Sequence, residues 1–190
     1  MTNTHTSTAL PSGTDSQPNT DVRTFRDHTV ATAPEAARPT LHQLQRKFGG
    51  LPPALARIAA SPELLDAFLA ANSFFERCSL SPVQRETLVM TVAVRNGCHV
   101  CVEMHSATLR RLRVDHELIT ALRSGAPVTD PRLAALQAFV HDVMDSAGDV
   151  ADARFATFMA AGFDQQQALE VVLGIGTYTL STFANRMTRA

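Results

Sequence analysis

The chain has 190 residues, with 17 Lys and Arg against 18 Asp and Glu and a formal charge of -1. That balance argues against a basic nucleic-acid binder and an acidic solvating chain, and the lack of Trp with a single Tyr argues against a stacking platform for single strands. Three Cys are too few for a disulfide framework, so a reducing, cytoplasmic setting is expected, and 45% hydrophobic residues suit one domain that buries about 70% of its unfolded surface.

Thr, Ser and Pro fill 17 of the first 40 positions, and large apolar side chains are few. Such a segment buries too little surface to offset its ordering entropy, so residues 1–39 are expected to form a disordered or loosely attached arm. No basic stretch precedes an apolar one at the start, so no secretory signal is expected. From Leu41 onward, residues 40–190 read as one all-α domain. A short helix over 41–48 stops at Gly49-Gly50, and Pro52-Pro53 opens another to about 60. Ser61-Pro62-Glu63 is a start signal for a helix to about 77: a cap, a proline at the first position, an acid at the positive end.

Ser81-Pro82-Val83-Gln84 repeats the device with a capping-box glutamine. The helix it opens is apolar on nearly every side over 88–94, which predicts burial all round, and Asn96-Gly97 ends it. A helix over 98–112 follows. Asp115 is expected to cap the next, closed by Ser124-Gly125. Asp130-Pro131 starts one to about 147, and a short one over 151–161 ends at Gly162. Asp164 with Gln167 is a capping box for the last helix, to about 187. Its apolar run over 171–184 is interrupted by Gly174, Gly176 and several hydroxyls, so no membrane span is expected.

The stretch that carries chemistry is Asn96-Gly97-Cys98-His99-Val100-Cys101-Val102-Glu103-Met104-His105. At a helix start, Cys98, Cys101 and His105 fall on one face at i, i+3 and i+7. Two cysteines in one turn can close a disulfide. The positive helix end favours a thiolate, and His105, one turn below Cys101, can take a proton or orient a water. Three ligands of a zinc site are an alternative reading, although such sites usually recruit two separated segments. Two inert buried thiols beside a satisfied core histidine are another. Glu86 sharpens the choice. Its helical neighbours Val83, Val89 and Met90 are apolar, and a carboxylate there needs a partner. The turn at Asn96-Gly97 folds the motif helix back, so Glu86 can pair with His105 and relay protons. The bland alternative is an exposed glutamate in a first helical turn.

Read together, Glu86, Cys98, Cys101 and His105 form Glu-x11-Cys-x2-Cys-x3-His. This resembles the signature of the AhpD-like (alkylhydroperoxidase D) proteins of the carboxymuconolactone decarboxylase-like superfamily. The resemblance runs from about residue 41 to the end and includes the closing helix with Asn185. It implies an all-helical subunit that assembles as a homotrimer or hexamer, and a thiol peroxidase or disulfide reductase. It further implies that Cys101 attacks the hydroperoxide, Cys98 resolves the product, and Glu86 and His105 relay protons. A dithiol donor, lipoyl or thioredoxin-like, would reopen the disulfide, and no metal or organic cofactor is required. Founding members carry a further relay histidine where this chain has Val100; His99 stands one position earlier. The same dithiol also suits a non-peroxidatic disulfide carrier or sensor.

Other candidates read as structure. His141, Asp142 and Asp145 look like a solvated face, and Arg110, Arg111 and Arg113 like cations at a helix C-terminus. Gly174 and Gly176 suggest close packing, and Cys78 a half-buried thiol.

Overall fold

The computed structural model describes residues 24–190. Among them are nine α-helices and no strand: α1 (Arg38–Phe48), α2 (Pro53–Ile58), α3 (Pro62–Glu76), α4 (Pro82–Arg95), α5 (His99–Arg111), α6 (His116–Ser124), α7 (Pro131–Asp145), α8 (Asp152–Ala160) and α9 (Gln165–Met187). Four of the starts follow from side-chain caps. The Ser61 hydroxyl accepts from the Leu64 amide at 3.2 Å, and the Asp130 carboxylate from the Leu133 amide at 2.8 Å. Ser81 with Gln84 and Asp164 with Gln167 form complete capping boxes. Asp115 holds the cap position of α6 without a side-chain cap bond, contrary to expectation.

Helix α4 is the axis of the domain. It packs against α5, α6, α7 and α9, and Leu88, Val89, Met90, Val92 and Ala93 are buried as the all-round apolar pattern predicts. Where α9 crosses α3 and α4, Gly174 allows the contact. A Cβ there would stand 2.6 Å from the Phe75 ring and 2.8 Å from the Leu88 side chain. The α4–α5 turn is equally specific. The Cys98 amide donates to the Ala93 carbonyl at 2.9 Å and the Gly97 amide to Val94 at 3.0 Å, a Schellman closure with Gly97 at φ 65°.

The described part of the expected arm, residues 24–39, is packed on the domain. Residues 1–23 lie outside the described residues, but the boundary near 39 falls inside a packed segment. A 3-10 turn (Glu35–Ala37) leads directly into α1. Ala33 and Ala37 are buried with Leu41, Ile58 and Leu65, the His28 amide donates to the Ala56 carbonyl at 3.1 Å, and Asp27 pairs with Arg57 at 2.6 Å. Alanines and backbone bonds hold this segment, and neither leaves the apolar signal by which a packed segment is read from sequence.

Candidate active site

The turn that ends α4 also starts α5. Cys98 is the residue after Gly97 and the cap residue of α5, and Cys101 lies in the first turn. Both are nearly fully buried, and their sulfurs are 3.0 Å apart in a hydrogen-bonded contact. One proton lies between them, and the surroundings place the charge. Cys98 is held down to about 6, first by the Cys101 thiol against its sulfur, which outweighs desolvation, with help from the Cys101 amide and Asn185. Cys101 is pushed up, first by that bond to Cys98 and then by burial. Cys98 also lines a surface hollow, with Gly97 and His99 among its neighbours there.

Glu86 and His105 meet as expected. His105 Nδ1 is 2.8 Å from Glu86 Oε2, and both side chains are buried. Glu86 is 8% exposed, which removes the reading of a solvated first-turn acid. The His105 ring stands edge-on to Tyr178 at 5.1 Å, and the Tyr178 hydroxyl donates to Asn72 Oδ1 at 3.0 Å. Burial, followed by the Glu86 carboxylate, pushes the Tyr178 phenol up.

Two differences from the sequence reading concern roles. No hydrogen bond joins His105 to either sulfur among the described residues. The bonds at Cys101 come from Cys98, from Asn185 Nδ2 at 3.4 Å and from Ser181 Oγ at 3.9 Å. Asn185 also reaches Cys98 Sγ at 3.9 Å. The supporting shell of the dithiol is therefore α9. The resemblance pointed to that helix without a role for Asn185, and Ser181 was missed. The available signal was a pair of polar residues four apart on the buried face of an apolar helix. Second, the thiol held down is Cys98, whereas the resemblance implies first attack by Cys101.

His99 is exposed and Val100 half-buried, so neither adds to the Glu86–His105 pair. Among the described residues no group of three or more His, Cys, Asp and Glu is placed to share a metal, because His105 turns to Glu86 rather than toward the sulfurs. Elsewhere the bland readings hold. Asp142 pairs with Arg154 and Asp145 with Arg95 at the surface, and burial pushes the half-buried Cys78 thiol up. No described helix is long and apolar enough to cross a membrane.

Residues 56–141 match the model of the carboxymuconolactone decarboxylase family. Among solved structures, an uncharacterized peroxidase-related protein from Ralstonia eutropha JMP134, an alkylhydroperoxidase AhpD core, is similar with a TM-score of 0.73 and 23% identity over 85% of this chain and 87% of that one. A peroxidase-related protein from Silicibacter sp. TM1040 gives 0.71 and 23% over 88% and 90%. The debrominase Bmp8, solved with 2,3,4-tribromopyrrole, gives 0.66 and 16% over 89% and 90%. No curated protein matches significantly.

Proposed function

Residues 56–141 belong to the carboxymuconolactone decarboxylase family and the chain has the AhpD-like fold, and from that premise we propose that it is a thiol-dependent hydroperoxide reductase working through the Cys98/Cys101 dithiol. The fold alone does not choose the reaction, since one structural neighbour is a debrominase. The observation that carries the reading is the 3.0 Å sulfur–sulfur contact beside a buried Glu86–His105 pair. It supports a reading in which a thiolate, its resolving partner and a proton store lie within one helix and its neighbours.

The Cys98 thiolate attacks the terminal oxygen of the hydroperoxide. The O–O bond breaks, the alkoxide leaves and takes up a proton as the alcohol, and Cys98 becomes a sulfenic acid. Cys101 then attacks the Cys98 sulfur. Its proton leaves with the hydroxyl as water, and the disulfide closes. Two electrons have passed from the dithiol to the peroxide. An external dithiol, lipoyl or thioredoxin-like, returns two electrons and two protons. Cys98 takes first attack in place of Cys101 because it holds the charge and lines the surface hollow. Glu86 and His105 supply the proton through a water or the substrate, since no direct bond links them to sulfur. The apolar outer face of α9 supports assembly with further copies of the chain.

A stopped-flow peroxide titration of the reduced protein tests this, with free thiols counted. Loss of two thiols per peroxide is expected. Cys101→Ser should carry a sulfenic acid on Cys98, trapped by dimedone, and Cys98→Ser should react far more slowly. The opposite pattern restores first attack to Cys101. If neither variant reacts faster than a free surface thiol, the dithiol serves as a disulfide carrier instead.

A further inference from the structure

The hollow that Cys98 lines has a volume of about 240 Å³, below the usual range for a drug-sized ligand. Its wall is formed by Gly97, His99, Val100, Asn185, Arg186, Arg189 and Ala190. Arg186, Arg189 and His99 therefore line the hollow with Cys98, and none of the side chains in its wall is acidic. Arg186 donates to the Asn96 carbonyl, a neutral acceptor that leaves its charge uncompensated. Neither Arg186 nor Arg189 takes part in an ion pair among the described residues. Glu103, the acid on α5 nearest His99, is held by Arg123. A third guanidinium, Arg57, reaches the Arg189 carbonyl at 2.7 Å, but Asp27 neutralises it. The first turn of α5 has no side-chain cap, and its opening residues line the same hollow, so its N–H groups add positive potential there.

We propose that this hollow binds the carboxylate of a small dithiol or disulfide substrate and so delivers its sulfur to Cys98. The proposal deepens the dithiol reading above and rests on it. In the reductive half-cycle, a donor thiolate attacks Cys98 Sγ of the closed disulfide. The Cys98–Cys101 bond breaks, and Cys101 leaves as a thiolate with Asn185 and Ser181 as donors, then takes a proton. The donor's second thiolate attacks the donor sulfur of the mixed disulfide and expels the Cys98 thiolate. The donor departs as a disulfide, and the enzyme has gained two electrons. Carboxylate binding by Arg186 and Arg189 raises the local concentration of the donor without altering its sulfur chemistry.

Dihydrolipoate and dihydrolipoamide test this, because they share one dithiol and differ in a carboxylate against a neutral amide. Each rate of reducing the oxidised protein is divided by its rate with a small neutral disulfide. Dihydrolipoate should be about tenfold faster at low ionic strength. The advantage should shrink as salt is raised, fall to near parity in Arg189→Gln combined with Arg186→Gln, and persist in Arg189→Lys. The salt series on the unmodified protein gives the answer even if the double variant folds poorly. Equal normalised rates overturn the carboxylate site and leave the dithiol reading standing, and so does a preference that survives both substitutions and salt. Failure of both donors to open the disulfide overturns the dithiol reading, and the site with it.

Discussion

Cys98 is both the third residue past α4 and the cap of α5, so its sulfur meets the Cys101 thiol, the Cys101 amide and the Asn185 amide together. With the thiol held down to about 6 against an ordinary 9.0, alkylation by iodoacetamide should show a midpoint near pH 6. Cys101→Ala removes the largest cause and should move that midpoint upward by more than one pH unit, roughly. The sign for stability follows. The folded value lies below the unfolded one, so ionised Cys98 stabilises the reduced fold fully above about pH 9. That contribution shrinks as pH falls and is gone below about 6. Urea unfolding of reduced protein and of Cys98→Ala across this window checks it. At Glu86, glutamine keeps the volume and one hydrogen bond to His105 but removes the charge. Glu86→Gln should retain the helical circular dichroism and lower peroxide turnover about a hundredfold, the scale of a lost proton relay. The four motif residues were legible because three share one helix face and Glu86 lies on an apolar stretch. The charge order of the two sulfurs was not, since it depends first on the bond between them and then on how deeply the fold buries each.

Four of the nine described helices start where a side chain caps them, and these starts were readable along the chain. Ser61, Ser81, Asp130 and Asp164 announce α3, α4, α7 and α9, and each makes its bond. The reading failed in the segment before α1. Ala33 and Ala37 are packed at a place that composition alone assigned to a loose arm. Packing between helices leaves a weaker trace, and Gly174 is its clearest case. An alanine there would push its methyl to 2.6 Å from Phe75 Cε2 and 2.8 Å from Leu88 Cδ2, both on buried side chains. Overpacking costs about 1–3 kcal/mol, and the helix-propensity gain of Ala over Gly offsets up to about 1 kcal/mol of it. Gly174→Ala should therefore lower the melting temperature by several degrees, about 2–4 °C per kcal/mol for a chain of this size. A calorimetric scan showing a rise would mean that α9 can lift away from α3 and α4 without loss. Because α9 carries Ser181 and Asn185, the same variant should also raise the Cys98 alkylation midpoint.

For the whole molecule, the unresolved question of surface lies on the other side of α9. The apolar run of α4 finds its cover inside the subunit and does not argue for partners. The outer face of α9 does. Leu169, Val172, Leu180, Phe183 and Met187 are exposed, with Gly176 between them, at spacings of three and four that form one stripe along the helix. Only Glu170 and Arg186 are charged in its 23 residues, whereas a helix face in water is usually rich in charge. A contiguous apolar stripe of this kind marks a contact site. A second copy of the chain suits it because an apolar helix face is complementary to itself, and Gly176 lets another backbone approach closely. On this argument sedimentation equilibrium should show a homo-oligomer at micromolar concentration, a trimer being the simplest form the family resemblance implies. Phe183→Glu with Leu180→Glu places two charges on the stripe without touching the core. It should yield a 20.5 kDa species with unchanged helicity. If the unmodified protein already sediments at 20.5 kDa, the stripe is not a subunit interface and the assembly proposal is wrong. If the double variant stays assembled, the contact lies on another face.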